Sequence, residues 1–340
     1  MNHIFSIHSN ICVIVVYERV KQLLENNENV IIVSDRNTKF PFFEDRIKFY
    51  DIQYITDIYR GKCSNSIQKF VNYAFEYLPH YKKSAKQIIN EEDFTLYLSS
   101  CNYFTVSPYL WNKHCKEYYF IEEGTMSYMD LGELRRRYKK QLRKGQALLN
   151  LIGFRTSFDF YTDKRFRGCI CVSQSAFPWC ETNKFVADLS YYIKADTNEN
   201  NEEEYNAIVV TDYLDKDISI ILQGFSLIFD DILKRGNTRI AIKMHPTAFS
   251  YQKEKIKEIE KYVKQTYSCI NVAFLPSSCV IEKMLVRNKV IVYSIFDVSS
   301  LLLYALALNS RAIVLTCNGK IEMKELTSTT VLLEEVYKSY

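Results

Sequence analysis

An α/β protein built from two doubly wound, Rossmann-like parallel sheets is what this chain's residue pattern calls for. Short β-branched runs alternate with stretches of helical period through both halves, as in Asn29-Val-Ile-Ile-Val-Ser34, Ala207-Ile-Val-Val-Thr211 and Ile240-Ala-Ile242. At 340 residues the chain exceeds one ordinary core. It suits two domains of roughly 150 to 190 residues each. A polar, acidic stretch from Lys194 to Glu204 has the low hydrophobicity of an exposed linker, which places an N-terminal domain at 1–195 and a C-terminal domain at 205–340.

Taken in order, residues 3–7 read as a first strand and His8-Ser9-Asn10 as a turn. Residues 11–26 read as a helix despite their β-branched start, because the buried strand 29–34 follows directly. An amphipathic segment over 66–75, a strand at 95–98 and a polar, aromatic stretch lead to the strand Glu117-Tyr-Tyr-Phe-Ile121. A basic helix is expected over 130–146, then shorter strands and aromatic loops over 150–194. The second half restarts with a strand at 207–211, a helix at 219–235, a strand at 240–242 and a Lys- and Glu-rich helix at 251–264. A strand at 272–275, a short helix opened by Glu282, a strand at 289–293, a helix at 298–308 and a last strand at 312–315 complete it.

Composition narrows the function classes. Forty-four basic and forty acidic residues leave a net charge of +4, mild overall but concentrated at Arg135–Lys144, where seven of ten residues are basic. That run is either a solvated face or a surface for anionic lipid headgroups or an anionic glycan. Only nine glycines are present, with no GxGxxG and no Walker-type loop, so glycine-rich phosphate cradles are excluded. Ten cysteines are scattered without CxxC pairs, and Cys169-Ile-Cys171 has no histidine nearby, which fits reduced thiols better than a disulfide frame or a metal site. The first twenty residues lack a basic n-region and a small-residue cleavage site, and no stretch approaches the ~20 apolar residues of a membrane span. A cytoplasmic protein, able to sit on the inner face of a membrane, is expected.

Four signals fall at strand or helix ends, where open α/β sheets bind ligands. Pro246 cannot continue the strand that precedes it and leaves Lys243 and His245 at its carboxyl end. Glu122 and Glu123 follow the strand ending at Ile121, with Gly124 for a tight turn. Adjacent like charges are expected to raise the proton affinity of one of them, as a general acid or base requires. Ser299 and Ser300 precede an apolar helix and offer hydroxyls and N–H groups to a phosphate. Glu282 follows a strand and a Pro-Ser-Ser turn, where an acid can accept both ribose hydroxyls. Each has a plainer alternative: a loop histidine, a surface turn, an N-cap, a first-turn acid. Asp215-Lys-Asp217 is formally a DxD metal-diphosphate signature and reads as a solvated turn.

The run EEGTMSYMDL resembles the D/E-D/E-G motif, KMHP the His-Pro motif and Ser299-Ser300 the paired Ser/Thr motif of bacterial GT-B sialyltransferases, a group that includes lipooligosaccharide sialyltransferases and capsule polysialyltransferases. The resemblance implies a GT-B fold, two Rossmann-like domains facing across a cleft. It implies inverting transfer of sialic acid from CMP-sialic acid to a terminal galactose hydroxyl of a surface glycan. Glu123, or failing it Glu122, would be the general base. His245 would act on the departing phosphate with Ser299 and Ser300, in a nucleotide site completed by Pro246, Lys243 at the cytosine and Glu282 at the ribose. No cofactor and no metal are expected, because a monophosphate leaving group can be held by protein donors alone. The partners expected are CMP-sialic acid, a glycan or glycolipid acceptor and an anionic membrane at 135–144; no nucleic acid is expected, and a homodimer is compatible with the sequence. Two departures stand out: Met244, where relatives often carry a smaller residue, and Glu-Glu in place of Asp-Asp. A polysialyltransferase, a GT-B transferase using another nucleotide sugar, and a GT-B protein that binds without turnover stay open.

Overall fold

The structure, a computed structural model, describes residues 1–35, 38–52, 71–99, 105–141, 162–181, 183–196, 204–211, 214–245, 248, 252–276, 279–296, 299–317, 320–329 and 331–333, with the side chains of Tyr73 and residues 137–141 outside that description. The chain divides into two compact units, Met1–Tyr192 and Ile193–Tyr340.

Unit 1 contains β1 (Asn2–Ile7), α1 (Asn10–Glu25), β2 (Asn29–Ser34), β3 (Ile47–Asp51), α2 (Leu78–Ile89), β4 (Phe94–Leu98), α3 (Ser107–Leu110), β5 (Cys115–Ile121), α4 (Leu131–Gln141), β6 (Phe166–Cys171) and β7 (Lys184–Val186), and α5 (Leu189–Ala195) spans the boundary. Its seven strands form one parallel sheet in the order β3-β2-β1-β4-β5-β6-β7. The direction of strand addition reverses between β1 and β4, which makes their carboxyl ends the switch point where such sheets meet ligands. The α1 segment is a helix although Val13-Ile-Val-Val16 favours strand. Every residue from Ile11 to Tyr17 is buried there, and burial outweighs an intrinsic preference of a few tenths of a kcal/mol per residue.

Unit 2 contains β8 (Ala207–Thr211), α6 (Ile218–Lys234), β9 (Arg239–Lys243), α7 (Lys253–Thr266), β10 (Asn271–Phe274), α8 (Ile281–Arg287), β11 (Ile291–Ile295), α9 (Ser300–Ala307), β12 (Arg311–Cys317) and β13 (Ile321–Leu326). The sheet order is β10-β9-β8-β11-β12-β13, with the reversal between β8 and β11. Ile221, Phe225, Ile228, Phe229 and Ile232 bury one stripe of α6 against this sheet, at the i, i+3, i+4 spacing an amphipathic helix requires. The expected α/β class with two Rossmann-like domains is what the chain adopts.

Several expectations need correction. The strand at 312–315 is not the last: β13 follows and pairs antiparallel with β12, so the second sheet is mixed. β3 is an edge strand with mostly exposed residues, so no buried face imposed a readable alternation on it; β13, also at an edge, packs Ile321 and Met323 on the core between exposed charged residues, an alternation the sequence reading passed over. The strand expected at 289–293 runs from Ile291 to Ile295, because buried Ser294 belongs to the ladder opposite Val210 and Val314. The stretch 194–204 is not uniformly exposed. Asp196 is buried and pairs with Lys283 at 3.3 Å and Arg287 at 2.9 Å, which ties the start of unit 2 to α8. The basic helix is described to Gln141, and Arg136 pairs with Glu133, an acidic partner the charge count had passed over. Residues 66–70 of the expected amphipathic segment, residues 142–161 and Pro246 lie outside the described residues. Among the described residues no helix is long and apolar enough to cross a membrane.

Candidate active site

In unit 1 the carboxyl ends of β1, β2 and β5 bring three titratable side chains together. β5 ends at Ile121 and delivers Glu122 and Glu123 in succession. Gly124 then takes φ 68° and ψ −165°, a conformation only glycine adopts without strain, and opens the short turn Thr125–Tyr128. Alternation along the strand sends the two glutamates different ways. Glu122 is fully buried: the Tyr128 hydroxyl donates to Oε1 at 2.7 Å and the Val172 N–H donates to Oε2 at 2.8 Å. Burial pushes its carboxyl up to about 7, while those two hydrogen bonds pull the other way. This corrects the expected cause, since loss of solvent and not the adjacent charge raises its proton affinity.

Glu123 keeps 15% of its side chain exposed, and its backbone N–H donates to Ser127 Oγ at 2.9 Å. Its Oε2 lies 3.2 Å from Nε2 of His8, which stands one residue past β1. His8 Nδ1 lies 2.9 Å from Oδ1 of Asp35, one residue past β2, and the Thr105 hydroxyl donates to Asp35 Oδ2 at 2.7 Å. The His8 side chain is fully buried and that of Asp35 nearly so.

In unit 2 the residues singled out cluster around β8. Lys243 ends β9 and is buried; its Nζ donates to the Pro276 carbonyl at 2.6 Å, and burial pulls its ammonium down while Cys279 and Glu282 push it back up. Glu282 sits in the first turn of α8, where burial raises its carboxyl and the Lys243 charge partly offsets the effect. Buried Met244 accepts a contact from Thr211 Oγ1 at 3.4 Å, and the same oxygen accepts the His245 N–H at 3.4 Å. Met244 is thus an anchor that leaves His245, half-buried and with its pKa lowered by burial, at the strand's end. On the far side of β8, β11 leads to Ser299, which caps α9 by accepting the Leu301 N–H at 3.3 Å, and to exposed Ser300 as its first residue. β9 and β11 flank β8, so His245 and the Ser pair rise from strands about 10 Å apart on one rim. Among the described residues no group of three or more His, Cys, Asp or Glu side chains is arranged to hold a metal ion.

A family model described as alpha-2,8-polysialyltransferase (POLYST) matches residues 4–318. The chain belongs to this family. It is therefore a glycosyltransferase of the sialyltransferase type, and the resemblance read from the Glu-Glu-Gly, His-Pro and Ser-Ser motifs holds at the level of the family. No curated protein matches the chain. Solved structures similar to it include UDP-GlcNAc 2-epimerase from Neisseria meningitidis bound to UDP-GlcNAc, at 13% identity and a TM-score of 0.48, covering 99% of this chain and 91% of that one. The S. aureus MnaA–UDP structure follows at 10% identity and a TM-score of 0.49, covering 99% and 87%. E. coli heptosyltransferase WaaC with ADP has 11% identity and a TM-score of 0.42, covering 92% and 87%.

For this polysialyltransferase-family chain, sequence reading gave no individual role to His8, Asp35, Thr105 or Thr211. His8 and Asp35 carried the signal that exposed Glu122 and Glu123: a titratable residue directly after a buried strand. The turn His8-Ser9-Asn10 was legible as a turn, but the partner 27 residues on was not.

Proposed function

We propose that this protein extends an anionic glycan by transferring sialic acid from CMP-sialic acid to a hydroxyl of a terminal sialic acid, with inversion at the anomeric carbon. The observation that carries the reading is Glu123, the partly exposed carboxylate of the Glu-Glu-Gly turn in a polysialyltransferase-family chain, beside a Glu122 sealed from solvent. A sugar hydroxyl is a poor nucleophile and needs a base within hydrogen-bond reach. Glu123 takes the acceptor proton as the new C–O bond forms, and the bond from the anomeric carbon to the CMP oxygen breaks with its electron pair leaving on the phosphate.

That phosphate is the part assigned to unit 2. The half-buried setting of His245 disfavours its protonated form, and an arriving phosphate favours it, which supplies charge where negative charge develops. Ser299 and Ser300 add donors at the start of α9; Lys243 and Glu282 are assigned to the cytosine and the ribose. The leaving group carries a single phosphate, so no divalent metal is required. Arg135 and Arg136 on α4 open the basic run 135–144, whose charge suits the polymer or the inner face of a membrane.

The test is CMP release from CMP-sialic acid with an oligosialic acid or a neutral lactoside as acceptor. Transfer to oligosialic acid is expected, with kcat lowered roughly 10²- to 10⁴-fold in Glu123→Gln and at least about 10²-fold in His245→Ala. Turnover on the lactoside alone would replace polymer extension by the terminal-galactose reading suggested by the motifs. Activity with a UDP-sugar, or full activity in Glu123→Gln, would overturn the assignment.

A further inference from the structure

His8 is the one imidazole in this chain placed between two carboxylates, among the described residues. Its ring nitrogens lie 2.9 Å from Asp35 Oδ1 and 3.2 Å from Glu123 Oε2. A ring flanked in this way can present a hydrogen to each side only when both nitrogens are protonated. The site is built for it: Thr105 fixes Asp35, Asp35 fixes the ring, and a fully buried ring cannot swing away. The described groups facing His8 are Asp35 from β2, Glu123 from β5, Thr105 and, from α1, Cys12. The Cys12 thiol is pushed up by burial and by Glu123, so it stays neutral and adds no competing charge.

We propose that His8 is a positioning residue of the transferase, a charge partner that keeps the Glu123 carboxylate aimed at the acceptor, with Asp35 and Thr105 holding the ring in register. The role rests on Glu123 being the base. A glutamate has three side-chain torsions, and leaving them free costs alignment at the reacting atoms. In this site Ser127 fixes the backbone of Glu123, and His8 Nε2 lies within ion-pair distance of its carboxylate. His8 touches no substrate in this scheme, since its side chain has no exposed surface.

Two measurements test it on the full-length chain. The first follows the His8 ring by NMR across pH; with five histidines in the sequence, its resonance is identified by its loss in His8→Gln. Glu123→Gln and Asp35→Asn are each expected to move the His8 titration to lower pH than in the wild-type chain, because each removes an opposite charge within contact distance. The second is the pH profile of kcat. In His8→Gln, which keeps an N–H donor but cannot carry a charge, the acid limb is expected to move to higher pH and kcat to fall more than about tenfold, with KM for the donor little changed. Asp35→Asn is expected to move the limb the same way, and thermal melts of both variants separate this from unfolding. An unmoved His8 titration in Glu123→Gln, or a folded His8→Gln enzyme with an unmoved acid limb, would overturn the clamp. If the wild-type chain transfers no sugar at all, the NMR arm still decides: a moved titration upholds the His8–Glu123 pair, and the functional reading alone falls.

Discussion

At the scale of single residues, two neighbouring glutamates do opposite work. Glu122 is sealed inside unit 1 with its carboxyl pushed up to about 7, so the folded state binds a proton more tightly than the unfolded chain, where a glutamate titrates near 4.5. The sign follows. The contribution of this group to stability is fully present below about pH 4.5 and is lost as pH rises through 7, a swing on the order of 3 kcal/mol. Glu122→Gln has no such dependence. Its stability relative to wild type, measured by urea unfolding, should therefore improve between pH 5 and pH 8 by up to that amount. A constant difference between the two proteins across this range would refute the buried-acid account. Gly124 is the other residue whose chemistry is forced, because its backbone angles exclude a side chain. The motif's glycine was readable as a turn; the split of its two acids into one buried and one partly exposed was not, because it depends on Tyr128 and on Val172, one residue past β6.

Among the elements, the central buried strands were legible, whereas the edge strands β3 and β13 and the amphipathic helix α2 were missed. β1, β2 and β4 are covered on both sides and read as apolar runs, whereas β3 and β13 lie at sheet edges with charged and aromatic residues facing water. Asp196 shows the same difficulty from the other direction. In a stretch whose composition reads as solvated, it is buried against Lys283 and Arg287 of α8. Removing one partner of a buried ion pair leaves uncompensated charge, so Asp196→Ala should destabilise unit 2 by about 3 kcal/mol, and Asp196→Asn by less. Chemical denaturation followed by circular dichroism measures this. A loss within a few tenths of a kcal/mol would show that water replaces the carboxylate. Gly168 in β6 is held for a related reason, since a Cβ there would stand 2.1 Å from the Asn183 carbonyl of the adjoining segment.

For the whole molecule, membership of the alpha-2,8-polysialyltransferase family leads to a test by ligand. CMP should raise the melting temperature, and UDP or GDP should not, because a ligand that binds only the folded state adds RT ln(1 + [L]/Kd), about 2.7 kcal/mol at a hundred times Kd. The effect of CMP should be larger at pH 6 than at pH 8, since burial disfavours the protonated form of His245 in the free protein and an arriving phosphate favours it. Equal shifts with all three nucleotides would remove the donor assignment. Transfer should also survive EDTA, and activity lost to EDTA and restored by manganese would mean that a metal, in place of His245 and the Ser pair, neutralises the departing phosphate.

The sequence by itself determined the two α/β domains and the strand- or helix-end positions of Glu123, His245 and Ser299, because burial of β-branched strands and the turns that end them are written locally. Only the tertiary structure decided which acid reaches solvent, what raises the proton affinity of Glu122, and that His8 and Asp35 stand beside Glu123. Those outcomes depend on strands far apart in the chain becoming neighbours in one sheet, and no local pattern of residues carries that pairing.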